Sequence, residues 1–281
     1  MTRIKGLECL ANPPTPVQGT RMVPLSFADE EFALTSGHAL YWPRERALLV
    51  ADLHLEKASF YARHGQLLPP YDSRETLERL ALAIRETGAR RVYTLGDNFH
   101  DSAGTERLEP HAAGMLAALT RATDWVWITG NHDASMEARS GGALAEELEI
   151  AGIVLRHQAR AGETRPELSG HYHPRLQLTV RARSIRRPCA VVASYDGSGR
   201  MILPAFGALT GGMNAADPAI VAALQPARAI DAVLPGAGSS QGFRFGGRPR
   251  NTRSFETASG CAFSLLRTNG ILLFPFVLRR D

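Results

Sequence analysis

The stretch RALLVADLH, residues 46–54, decides how this chain folds. From Ala47 to Ala51 apolar residues follow one another with no polar alternation, the mark of a strand buried on both faces inside a parallel sheet. The run stops on an aspartate, and a histidine follows two residues later. The pattern returns twice: RVYTL at 91–95 runs into Gly-Asp, and DWVWIT at 124–129 runs into Gly-Asn-His-Asp. Helical segments separate the three. Residues 72–88 repeat apolar positions at Leu77, Leu80, Ala81 and Ile84, open with Asp72 and Glu75 at capping-box spacing, and stop at Gly88. Residues 108–121 read as a second helix. Strands joined by helices pair in parallel, because the crossover returns the chain to the edge where it started.

From Gly152 the long helices give way to strands: GIVLRH, ELSGHYH, LQLTVRAR, PCAVVASY and RMILPAF. In LQLTVRAR, Leu176, Leu178, Val180 and Ala182 alternate with Gln177, Thr179, Arg181 and Arg183, so the two arginines are expected on the polar face. These strands imply hairpins in a second sheet. The expected fold is α/β, a four-layer αββα sandwich of two mixed sheets with helices outside. Residues 1–22, with Pro13, Pro14 and Pro16, read as an N-terminal arm and 23–228 as the folded domain. Residues 229–281 read as a Gly/Ser/Arg-rich tail, either poorly ordered or a basic arm that adds nonspecific affinity for nucleic acid.

Composition narrows the class. With 281 residues, 44% of them hydrophobic and 21% charged, the chain can bury a full core. No run of about 18 apolar residues occurs and the N-terminus has no apolar leader, so the expected location is the cytoplasm, with no membrane contact. Cys9, Cys189 and Cys261 are scattered, which argues against a thiolate zinc site. The pI of about 9.2 belongs to the tail. Residues 241–281 carry seven arginines against Glu256 and Asp281, a net of +5, and the whole chain is +4, leaving −1 on the first 240 residues. One basic run remains in the body: residues 170–195 hold Arg175, Arg181, Arg183, Arg186 and Arg187 and no acid.

The groups that follow the strands carry the chemistry. ADLHLEK supplies Asp52 and His54, GDNFHD supplies Asp97, GNHD supplies Asn131 and His132, LRH supplies His157, and GHYHP supplies His171 and His173. The C-terminal edge of a sheet brings such positions together. Eight oxygen and imidazole groups are too many for one ion, but with a bridging carboxylate, for which Asp97 is suited, they fit two ions about 3.5–4 Å apart. Neutral imidazole favours a borderline divalent metal, Mn first, with Fe, Zn and Ni as alternatives. Alternation along an extended segment lets Asp52 and His54 reach one ion and points His171 and His173 to one side. Gly96, Gly130 and Gly170, each just before a ligand, allow close backbone approach.

The ordered set D-x-H, G-D-x-x-H, G-N-H-D, H and G-H-x-H resembles the calcineurin-like metallophosphoesterases across residues 46–175. The resemblance implies a first metal held by Asp52, His54, Asp97 and His173, and a second held by Asp97, Asn131, His157 and His171. It makes His132, oriented by Asp133, the catalytic group that stabilises the transition state or protonates the leaving oxygen, while a metal-bridging hydroxide attacks phosphorus in line. His100 stands where the family usually has Asp, which leaves that position without an assigned role. The stretches ADLHLEKASFYARHGQLLPPYDSRETLERL, LGDNFHD, SGHYHP and PAFGALTGGMN look like the bacterial ligase-associated DNA damage response endonucleases. That resemblance reaches about Pro218 and implies a DNA phosphodiester substrate, a role in repair, and an ATP-dependent DNA ligase and a helicase as partners.

Two other readings compete with DNA cleavage: a hydrolase of small phosphodiesters or nucleotides, and a noncatalytic scaffold, against which the complete ligand set argues. His38, His64 and His111 sit in no motif and read as ordinary histidines. The FGALTGG loop, residues 206–212, lacks a P-loop lysine and reads as a tight turn near the metals.

Overall fold

A computed structural model describes residues 22–133, 141–180, 183–195 and 198–235, together with three strands within 252–275. In chain order the elements are β1 Met22–Phe27, β2 Glu30–Thr35, β3 Leu40–Trp42, β4 Ala47–Val50, α1 Lys57–Arg63, α2 Asp72–Thr87, β5 Arg91–Leu95, α3 Gly104–Arg107, α4 Pro110–Ala122 and β6 Asp124–Ile128. They continue with β7 Ala143–Ala145, β8 Glu147–Ile150, β9 Ile153–Arg156, β10 Glu167–Ser169, β11 Arg175–Val180, β12 Arg183–Pro188, β13 Ala190–Tyr195, β14 Ser198–Ile202, α5 Pro218–Ala223 and β15 Ala229–Val233. The last three are β16 Thr252–Glu256, β17 Ala262–Thr268 and β18 Ile271–Pro275.

The first sheet runs in sequence order from β1 to β7. β4, β5, β6 and β7 pair in parallel, with helical crossovers from β4 to β5 and from β5 to β6, while β1 to β4 form an antiparallel meander. All four residues of β4 are buried. Its alternate side chains serve two layers: Leu49 and Ala51 pack between the sheets with Leu95, Ile128, Leu155, Leu168, Met201 and Leu203, whereas Leu48 and Val50 meet Leu77 and Leu80 of α2 and Leu116 of α4 on the outer side. The second sheet has the order β16-β17-β18-β15-β13-β14-β10-β9-β8. It is mixed, with β9, β10 and β14 parallel and β13 antiparallel to its neighbours. Its outer face carries Val191, Ala193, Ile202 and Ile230, covered by Ile220 and Leu224 in and after α5 and by Leu176 and Leu178 of β11. The expected four layers are present. The fourth consists of one short helix and the β11–β12 ribbon, which hydrogen-bonds into neither large sheet.

Three local expectations change. The capping box at Asp72 does not form, because Asp72 is the first helical residue behind Tyr71 and its Oδ2 accepts from the Ala58 amide at 3.0 Å, tying α2 to α1. Helix α4 starts at Pro110, later than its periodicity suggests, because Glu109 accepts from the amides of His111 and Ala112. The stretch assigned to the tail opens with β15, which pairs with β13 from Ala229 onward and buries Ile230 and Ala232. A limit at residue 228 therefore falls just before a strand of the second sheet. The arm at 1–21 and the side chains of Arg181 and Arg183 lie outside the described residues.

Candidate metal centre

The segments that leave β4 and β5 stay joined beyond the sheet. The amides of Asp52, His54 and Leu55 donate to the carbonyls of Gly96, Asp97 and Asn98. From the second sheet, the Gly170 amide donates to the His157 carbonyl, and both oxygens of Asp52 accept from the His171 amide at 3.0 and 3.1 Å. Strand ends of both sheets thus meet at one seam.

The ligand side chains do not converge by strand alternation, as the sequence suggested. Asp52, His54, Asp97, His171 and His173 all have φ between 44° and 74°, in the left-handed region. A non-glycine residue there costs of order 1 kcal/mol or more and persists only where its surroundings enforce it. Here the interstrand hydrogen bonds enforce it. Glycine opens the remaining space: Gly96 has φ 78°, and a Cβ there would run into the His157 ring.

Two groups of donors result. Asp52, His54, Asp97 and His173 each offer a ligand atom, all within 4.8 Å of one another, and Asp97, His157 and His171 form a second such group. Asp97 is common to both and divides its oxygens between them. Oδ2 faces His54 Nε2 at 3.7 Å, and Oδ1 faces His157 Nε2 at 3.4 Å. Within the first group His54 Nε2 lies 3.2 Å from His173 Nε2, which lies 3.5 Å from Asp52 Oδ1. Within the second, His157 Nε2 lies 3.0 Å from His171 Nδ1, and the Asn131 amide is 3.4 Å from the same nitrogen.

These residues fit divalent metal ions. Donors bound at about 2.0–2.2 Å to one ion stand roughly 3–3.5 Å apart from each other, close to the 3.0–3.7 Å separations between neighbouring donors here. The buried carboxylates of Asp52 and Asp97 form ion pairs only with histidines among the described residues, and buried charge of this kind is normally paired or metal-bound. Two of the histidines, His54 and His171, are held toward the neutral form. Burial, then the neighbouring His173, Lys57, His100 and His132, lowers the His54 pKa to about 2, and burial, then His157, lowers that of His171. His157 Nδ1 donates to the Leu95 carbonyl at 2.9 Å, so its Nε2 lone pair faces the cluster.

His132 occupies the rim. Its side chain is 45% exposed, with Nε2 4.0 Å from Asp97 Oδ2. The expectation that Asp133 orients this ring needs correction. The buried Asp133 carboxylate accepts from the amides of Asn98, Phe99 and Gly130 and from Asn98 Nδ2, all at 2.9–3.2 Å. It pins the loop that carries His132 to the loop that carries Asp97. Burial raises its pKa against those hydrogen bonds. Asp133→Ala would leave several buried donors without an acceptor and should lower unfolding free energy by at least about 3 kcal/mol, measured by urea titration of the metal-free protein.

His100 had no assigned role on sequence grounds. Its Nδ1 lies 3.4 Å from His54 Nδ1, and its ring stacks on those of Tyr61 and His132 with centroids 5.6 and 5.5 Å apart. Its spacing in G-D-x-x-H was the available signal. His38, His64 and His111 belong to neither donor group. The FGALTGG loop is a turn against the site: the Gly207 amide donates to the Asp52 carbonyl.

The calcineurin-like phosphoesterase family profile matches residues 45–175. The crystal structure of Pseudomonas putida nuclease MPE aligns with a TM-score of 0.57 at 28% identity, over 76% of this chain and 96% of that one. The protein of unknown function AQ665 from Aquifex aeolicus aligns over 45% of this chain and 77% of its own, at 16% identity and a TM-score of 0.32, too distant a likeness to bear on the site. No curated protein matches the chain. A two-sheet fold whose strand ends carry paired Asp/His donor groups sharing one carboxylate agrees with the matched profile, and over residues 45–175 the chain is similar to the calcineurin-like phosphoesterases.

Proposed function

We propose that the protein hydrolyses DNA phosphodiester bonds as a repair nuclease with two divalent ions, Mn first among them. The observation that carries the two-ion reading is the division of Asp97, one oxygen toward each donor group. Asp52, His54, Asp97 and His173 would hold one ion, and Asp97, Asn131, His157 and His171 the other. Bound there, the ions supply Lewis acidity and a water acidic enough to ionise near neutral pH. The chain's residues do the rest. His157 keeps its Nε2 lone pair on the cluster, Asp133 fixes the spacing between loops, and His132 stands at the exposed rim where a leaving oxygen can take its proton.

The likeness to a nuclease supports DNA as substrate, and so does the acid-free arginine run that starts beside His171 and His173. On this reading the chain works in the cytoplasm beside an ATP-dependent DNA ligase and a helicase. The test measures turnover with added Mn on bis-p-nitrophenyl phosphate and on labelled single-stranded and duplex DNA. DNA cleavage is expected. Turnover of the small ester with all DNA intact would reject the nuclease and move the substrate to small phosphodiesters.

A further inference from the structure

The β11–β12 ribbon starts two residues after His173 and stands outside both large sheets. Its two faces differ. Leu176 and Leu178 are buried against the second sheet. The register places Gln177 opposite Arg186, Thr179 opposite Ser184 and Arg175 opposite Pro188, so these six share the other face. Thr179, Ser184 and Arg186 on it are exposed.

Arg175 and Arg186 are diagonal neighbours on that face, two like charges within reach of each other's long side chains. Neither makes an ion pair with a carboxylate among the described residues. Both turn toward backbone oxygens of the FGALTGG loop: Arg175 donates to the carbonyls of Thr210 and Gly211 at 3.1 and 3.2 Å, and Arg186 to that of Gly212 at 2.5 Å. Burial, then the charge of Arg186, holds the Arg175 pKa below the usual arginine range. Arg175, Thr210 and Gly211 line a shallow surface depression together with His173. Two cations thus sit together beside a metal ligand without a counter-charge from the fold.

We propose that this face of the ribbon is a phosphate track, which takes the DNA backbone next to the scissile phosphate. This rests on the DNA reading above. Arg175 and Arg186 form its inner end, where the neighbouring phosphate supplies the missing negative charge, and Gln177, Thr179 and Ser184 continue it outward as neutral hydrogen-bonding groups. Contacts of this kind position a strand without reading its sequence.

The experiment compares the unmodified protein with Arg186→Glu, Thr179→Lys and, on the opposite face, Arg187→Glu. Affinity of the metal-free proteins for a labelled oligonucleotide is followed by anisotropy across a salt series, beside Mn-dependent turnover of oligonucleotide and small ester. Arg186→Glu should weaken binding about tenfold and flatten the salt dependence by about one unit or more of slope, while Thr179→Lys should tighten binding and steepen the slope by about 0.7–0.9. Arg187→Glu should do less than Arg186→Glu and leave small-ester turnover unchanged. Misfolding cannot produce the gain. DNA cleavage by the unmodified protein with the same salt slope in Arg186→Glu and Thr179→Lys would overturn the track and leave the nuclease standing. Ester turnover without DNA cleavage would overturn the nuclease reading and the track with it.

Discussion

Asp97→Ala should leave no more than about a thousandth of the turnover and release metal from both donor groups at once. Among the described residues no other side chain belongs to both. Its two oxygens face different histidines at 3.7 and 3.4 Å, so removing it takes a carboxylate from both groups, leaving Asp52, His54 and His173 in one and Asn131, His157 and His171 in the other. Its loss also removes the acceptor of the His132 amide, Oδ1 at 3.2 Å. Asp97→Asn keeps the shape and one oxygen, and should retain one group's metal better than the other. Elemental analysis after gel filtration, beside ester turnover, measures both. Full metal content in the alanine variant would reject the shared ligand.

His132→Ala should lower turnover on DNA by about 10²–10⁴-fold, the usual range for a lost proton donor, with metal content unchanged. The ring is 45% exposed, so stability should hardly change. The diagnostic is the leaving group. Nitrophenolate departs without a proton, whereas a deoxyribose alkoxide does not, so the loss on bis-p-nitrophenyl phosphate should be much smaller. An equal loss on both substrates would make His132 a stabiliser of phosphoryl charge instead.

The seam at the strand ends was legible because each apolar run stops abruptly on a group that does not belong in a core. Val50 and Ala51 before Asp52, and Thr94 and Leu95 before Gly96 and Asp97, mark the edge of a parallel sheet without any coordinates. The meander β1–β3 was not legible in that way. Its strands are short, Pro24 interrupts the first, and Glu30 and Glu31 open the second, although Glu30 is buried and accepts from Trp42 Nε1 at 3.0 Å. Nor does the sequence tell that Asp52 and His54 leave the extended conformation. Local preference favours continuing the strand, and only the hydrogen bonds to Gly96 and Asp97 overrule it. Asp133 was misread for a similar reason. Its neighbour in sequence is His132, but its carboxylate serves amides 34 and 35 residues away.

The ligands come from both sheets, with His54 following β4 of the first and His173 following β10 of the second, 119 residues apart. An ion held by that pair is therefore also a cross-link, closing a loop long enough that a disulfide in its place would restrict the unfolded chain by about 4–5 kcal/mol. Metal affinity and the docking of one sheet on the other become two readings of a single equilibrium. Any change that lets the sheets drift apart will weaken the ions, and metal concentration will set how firmly the sandwich is shut.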